Sequence, residues 1–200
     1  MRDLSVIAND SNPLAFFHSD VDILDDMWQE KVERHFREHT RCGLIGFGGA
    51  TALGSPDIYR KRYQIWDLLR YNYYSRQKDW ETHGKRLEKP MQVAVLDGFA
   101  MIFRRDAFND MGGWQPALDA GLTFHCYDTW ACCMMRRREW ETWILPIECW
   151  HHGGGVSISR EYHDWLHKQG IRGDSDVHAT AHVVIYNEFR DVLPFSVGEK

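Results

Sequence analysis

Leu14-Ala15-Phe16-Phe17-His18-Ser19-Asp20-Val21-Asp22 is the stretch from which the rest of the chain can be read. An apolar, aromatic run ends abruptly in two carboxylates spaced i, i+2. Extended backbone sends alternate side chains to the same face, so Asp20 and Asp22 could grip one hard cation together. Taken alone, D-x-D is short and common, and a strand ending in solvated acids has the same pattern.

Working outward, Phe16 and Phe17 predict a buried strand, and 4–8 predicts a shorter one before the loop Asn9-Asp10-Ser11-Asn12-Pro13. Beyond the acids, Trp28, Val32 and Phe36 recur at helical spacing, predicting a helix capped by Asp25 or Asp26 and running to about His39. Cys42 to Phe47 reads as the next strand, ended by Gly48-Gly49. Strand, helix, strand in that order points to an α/β layer arrangement.

Composition narrows the class. A chain of 200 residues, 44% hydrophobic, can bury one sizeable core, so a single globular domain is expected. No apolar run approaches membrane-spanning length and the N-terminus lacks a secretory pattern, which makes cytoplasmic the expected location. Five cysteines without a C-x-x-C pair read as reduced thiols. A formal charge of −5 gives no global attraction to nucleic acid or anionic membranes. The stretch 59–89 departs from this balance, with nine Lys/Arg against four acids and seven interleaved Tyr and Trp. Such a surface could stack on sugar faces or bases. Ile65, Leu68 and Leu69 favour a packed helix with a solvated basic face.

Met91 to Leu96 predicts a strand, broken by Asp97-Gly98 before a second apolar run to Phe103. Gly98 would permit close approach of the backbone to a ligand or a neighbouring strand. Arg105 to Met111 predicts a short helix stopped by Gly112-Gly113. A loop through Gly121 then leads to Tyr127-Asp128 and a helix from Thr129 to Trp140. At that helix's start, Asp128 could simply cap free N–H groups. Thr142 to Cys149 reads as an edge or bulged strand because it contains Pro146. It leads into His151-His152-Gly153-Gly154-Gly155, a metal-competent imidazole beside backbone able to approach a phosphate. Adjacent histidines on a strand face opposite ways, so one is expected to reach the site. Two helices, about 159–169 and 176–192, close the chain, the second with Ala179, Val183, Val184 and Ile185 in its core.

In their order, Asp20-Val21-Asp22, Asp97-Gly98-Phe99-Ala100-Met101-Ile102-Phe103-Arg104-Arg105-Asp106-Ala107-Phe108, Met111-Gly112-Gly113-Trp114, Tyr127-Asp128, Ile144-Leu145-Pro146 and His151-His152-Gly153-Gly154-Gly155 resemble the family 2 glycosyltransferases of the GT-A fold. The resemblance implies a compact or truncated GT-A-like domain over 1–157, with 59–90 as an acceptor-side insertion and 158–200 as a helical extension. It implies a metal-dependent transferase that moves a sugar from a nucleotide sugar, with a UDP-sugar as the expected donor, to an acceptor hydroxyl with inversion. Asp20, Asp22 and His151 would hold Mn²⁺ or Mg²⁺ against the donor diphosphate. Gly98, Gly153 and Gly154 would lie against the donor, and Asp128 would be the general base. Tyr127 stands where the family usually has Glu.

The family's nucleotide-binding half precedes its D-x-D, whereas nineteen residues precede Asp20 here. Another subunit, from a homo-oligomer or a partner, could complete the donor pocket. The acceptor could be a saccharide, a protein or modified DNA. The alternative reading is a non-catalytic GT-A-like module that binds a glycan, nucleic acid or a partner protein. A zinc site built from His125, Cys126, Cys132, Cys133 and His151 is a further alternative, although those spacings match no common zinc pattern.

Overall fold

The computed structural model describes residues 12–53, 69–71, 73–75, 81–83, 87–122, 124–152 and 159–197. The expected strand at 4–8, most of the basic aromatic stretch, and Gly153 and Gly154 lie outside the described residues. The strands are β1 (Leu14–Phe17), β2 (Val21–Ile23), β3 (Cys42–Gly46), β4 (Gly48–Ala50), β5 (Ala52–Leu53), β6 (Leu69–Tyr71), β7 (Tyr73–Ser75) and β8 (Glu81–His83). Six more follow: β9 (Met91–Val93), β10 (Val95–Leu96), β11 (Ala100–Phe103), β12 (Glu141–Ile144), β13 (Cys149–His151) and β14 (Phe195–Ser196). The helices are α1 (Trp28–Glu38), α2 (Arg105–Asp110), α3 (Gln115–Asp119), α4 (Tyr127–Arg137), α5 (Arg160–Lys168) and α6 (Asp174–Glu188).

A mixed five-stranded sheet in the order β1-β11-β3-β12-β9 forms the centre of this compact GT-A-like α/β fold. Within this sheet, among the described residues, the β3–β12 pair is parallel and the other pairs are antiparallel. Period-two alternation divides the side chains between two cores. Leu44, Met101 and Phe103 join α2, α4 and α6 on one face. Ile45, Ala100 and Ile102 meet Val32 and Phe36 of α1 on the other. Fully buried side chains of this size each contribute about 1.5–3 kcal/mol relative to exposure. β1 follows the same alternation: Phe16 packs edge-on to Phe103 and Trp114, while Phe17 packs on Trp28 and Phe47.

α1 forms as its apolar spacing predicts, but neither Asp25 nor Asp26 caps it. Met27 occupies the cap position, while Asp25 Oδ1 accepts from the Met27 N–H at 3.0 Å and Asp25 pairs with Lys31. At the other end Arg104 closes the helix. Its guanidinium donates to the Phe36 and His39 carbonyls at 2.5 and 3.0 Å and, through Nε, to the Cys42 carbonyl at 2.7 Å.

Other expectations are corrected. Gly48 and Gly49 do not end a strand; they form β4, paired with β10 and β6. A Cβ on Gly49 would sit 2.1 Å from the Val95 carbonyl oxygen, so the glycine marks close approach of two backbones. The expected strand from 142 to 149 is two. β12 lies inside the sheet, and Pro146, which has no N–H to donate, falls in the connection to β13. Leu69 belongs to β6, not to a helix. α3, with Pro116 in its first turn, lies in the segment expected to be loop. Gly112 and Gly113 have the left-handed torsions predicted after α2.

α6 begins and ends earlier than predicted. Of its predicted core, Ile185 is buried and Val184 packs against the central cluster, whereas Ala179 and Val183 face outward and Ala181 is buried instead. Just past it, Phe189 packs on Trp130 in the core shared with the central sheet. Arg137 ties α4 to this end through Glu188 and Asp191 at 2.8 and 2.5 Å. Ser159 caps α5 by accepting from the Tyr162 N–H at 3.2 Å. All five thiols are unbridged, four of them buried. Among the described residues no helix is long and apolar enough to cross a membrane.

Candidate active site and metal centre

β1 ends one residue before His18, whose N–H donates to the Phe99 carbonyl at 2.9 Å. The chain then turns through Ser19-Asp20 into β2, which pairs antiparallel with β13. That pairing brings the acids to the histidines. The His152 N–H donates to the Asp20 carbonyl at 2.9 Å, and His151 Nε2 lies 3.6 Å from Asp20 Oδ1. His151 stacks on Phe99 with ring centroids 4.9 Å apart, which holds its plane.

One ligand atom each from His18, Asp20 and His151 lie within 4.8 Å of one another. A carboxylate oxygen with two imidazoles is a competent donor set for a divalent cation. His18 is the member that the sequence reading missed; its place just before the D-x-D was the available signal. Asp22 is not in this group. Asp20 sits in the turn, not in extended backbone, so the two carboxylates engage different imidazoles: Asp22 Oδ2 is 2.8 Å from His152 Nε2. Both adjacent histidines therefore meet an acid of the D-x-D. His152 is further held by stacking on Trp150 at 5.3 Å.

The loop after β10 and the start of α4 form the other half of the site. Asp128, the second residue of α4, accepts from the Gly98 N–H at 3.1 Å through Oδ2 and from the Thr129 N–H at 2.7 Å through Oδ1. Cys126 holds the N-cap position, while Asp128 takes up one free N–H of the first turn, that of Thr129. Burial raises the Asp128 pKa, opposed by the Thr129 and Gly98 hydrogen bonds. Burial, and then the nearby Asp128 charge, push Asp97 from 3.8 up to about 7. Asp97 was read only as a strand breaker; its carboxyl is one of two coupled acids beside Gly98.

Tyr127 links the halves. Its hydroxyl donates to the Gly98 carbonyl at 3.2 Å and lies 2.6 Å from His18 Nε2. The tautomer of His18 decides which partner donates in this second bond. Burial holds the phenol well above its usual pKa, so it remains a donor. The absence of a side chain at Gly98 is also explained: a Cβ there would lie 2.6 Å from the Tyr127 hydroxyl oxygen and 2.8 Å from its ring. The close neighbour is therefore Tyr127.

A separate cavity of about 610 Å³, lined by Lys31, Arg34, His35, Leu87, Lys89 and Pro146 among others, contains none of these residues. The profile of a glycosyltransferase-like family matches residues 7–182. No curated protein matches the chain.

Proposed function

The chain belongs to that glycosyltransferase-like family, and we propose that it transfers a sugar from a nucleotide-sugar donor to an acceptor hydroxyl with the help of a divalent cation. One observation carries this reading: a hydrogen-bonded path runs from His18, in the Asp20 and His151 group, through Tyr127 and Gly98 to the Asp128 carboxylate. A candidate cation group and a candidate base are thereby held in one frame.

Asp20, His151 and His18 would hold Mn²⁺ or Mg²⁺, with Asp22 as the second acid of the pair. When bound, the cation neutralises charge on the departing nucleoside diphosphate. The carboxylate oxygen of Asp20 suits a hard metal. Asp128 takes the acceptor proton as the acceptor oxygen bonds to the anomeric carbon and the bond from that carbon to the diphosphate oxygen breaks, inverting the centre. Its hydrogen bonds from Gly98 and Thr129 leave the carboxylate oriented before substrate arrives. Gly153 and Gly154, following β13, are proposed to lie against the donor phosphates. β7, one short described piece of the basic aromatic stretch, pairs with β13 at Trp150 and His151. A saccharide, a protein or modified DNA is the proposed acceptor on that side.

Calorimetric titration of uridine and guanosine diphosphates, with and without Mn²⁺, tests the reading. Binding should require the metal, disappear in Asp20→Ala and persist in Asp128→Asn. Metal-independent binding that survives Asp20→Ala would overturn the cation role, and no binding by the folded chain would favour the non-catalytic module.

A further inference from the structure

A second cluster of metal-competent side chains lies where α6 passes the start of α4, apart from the Asp20 group. His178 and His182 are spaced i, i+4 on α6, which puts both imidazoles on one face of the helix. Cys126, the residue preceding α4, meets them there. One ligand atom from each of the three lies within 4.8 Å of the others. Bonds of about 2.3 Å to sulfur and 2.0–2.1 Å to nitrogen put tetrahedral donors a little closer than this, a contraction that side-chain rotation can supply. Cys126 has φ 63, a left-handed conformation uncommon outside glycine. Such outliers persist where the surroundings over-determine them and are enriched at ligand sites.

The surroundings of the cluster also fit. Asp174, one turn before His178, places Oδ2 3.4 Å from His178 Nε2. Its Oδ1 is held by the Tyr162 hydroxyl at 2.7 Å and by His125 Nε2 at 2.6 Å. A carboxylate on one nitrogen of a histidine sets the tautomer and raises the basicity of the other nitrogen. His125 stacks on His178 with centroids 3.7 Å apart, fixing the ring from its face. A neighbouring cavity of about 220 Å³ is lined by His125 but by none of the three proposed ligands.

A thiolate with two imidazoles suits a borderline-soft, tetrahedral cation, whereas the Asp20 group suits a harder one. We infer that Cys126, His178 and His182 bind Zn²⁺, with Asp174 orienting His178, and that this site clamps α6 to the residue two before Asp128. Binding forms the zinc–sulfur bond and releases the Cys126 thiol proton to solvent. Of the zinc grouping suggested by the sequence, Cys126 is among these ligands and His125 supports them through Asp174 and His178. Cys132 and Cys133 point into the core, where Cys132 Sγ accepts from the Leu96 N–H at 3.3 Å, and His151 belongs beside Asp20.

Co²⁺ titration of the chelator-treated full chain tests the site, because cobalt reports its own ligands. One equivalent should give the near-ultraviolet thiolate-to-cobalt charge-transfer band with the visible spectrum of a tetrahedral ion, both displaced by Zn²⁺. Cys126→Ser should abolish the charge-transfer band, His182→Gln should abolish the tight binding that the band reports, and Asp174→Asn should weaken that binding by about 10–100-fold. Asp20→Ala should leave the band unchanged. A folded wild-type chain without the band, or a band that survives Cys126→Ser, overturns the inference. If Cys126→Ser does not fold, a folded His182→Gln whose charge-transfer band titrates at the same Co²⁺ concentration as in wild type overturns it equally.

Discussion

Replacing Asp97 by asparagine should stabilise the fold at neutral and alkaline pH and have little effect in acid. Burial, with the Asp128 charge, raises Asp97 from 3.8 to about 7, against a hydrogen bond from the Phe99 backbone that favours the ionised form. Between those values the folded chain keeps a proton that the unfolded chain has lost. The stabilisation is fully present below 3.8 and is lost as pH rises through about 7. A shift of roughly three units at 1.36 kcal/mol each sets a ceiling of about 4 kcal/mol. Asp97 retains some exposure, and relaxation with water lowers the figure to about 2 kcal/mol.

His35 works in the opposite direction. Burial, and then His39, lower it from 6.5 to about 4, so its contribution is present above 6.5 and lost as pH falls toward about 4. Because the two slopes oppose each other, the wild-type profile alone is not diagnostic. Urea unfolding of wild type and Asp97→Asn from pH 4 to 8 isolates the carboxyl, since asparagine preserves shape and an acceptor oxygen. The difference in unfolding free energy should grow from about zero at pH 4 to about 2 kcal/mol in favour of the variant at pH 8. A difference that is flat with pH, or larger in acid, would refute the assignment of a retained proton to Asp97.

Two further outcomes follow from close contacts. Gly98→Ala should cost about 1–3 kcal/mol, because its Cβ would force the Tyr127 ring aside. Chemical denaturation of Gly98→Ala in a Tyr127→Ala background should then show a much smaller penalty, and an undiminished one would sink the steric account. Arg104→Ala should cost about 2–4 kcal/mol, since three carbonyls around the end of α1 lose a charged donor. Arg104→Lys should recover less than half, because one ammonium does not reproduce the guanidinium fork; amide exchange near Glu38 would register both changes.

Local patterns carried much of the architecture. The 3.6-residue recurrence of Trp28, Val32 and Phe36 marks α1, and the apolar run to Phe103 marks β11. Gly112-Gly113 marks the end of α2. The ordered motifs were also enough to identify a glycosyltransferase-like chain, which the family match over 7–182 bears out. These features are legible because they depend on neighbours within a turn of helix or a few residues of strand.

What only the tertiary structure decided were the meetings of distant residues. Gly49 reads as a strand end until Val95 is seen against it. The sequence could pair Asp20 with Asp22 by spacing, but the turn before β2 and its pairing with β13 distribute them to His151 and His152. His18 and Tyr127 meet across 109 positions of chain, and Cys126 meets His178 and His182 from a different helix. Periodicity records which face a residue occupies; it carries no information about which other face will be folded against it. That is settled by sheet order and by the packing of α4 and α6 on one core, where burial is shared among many side chains and no single pair reveals it.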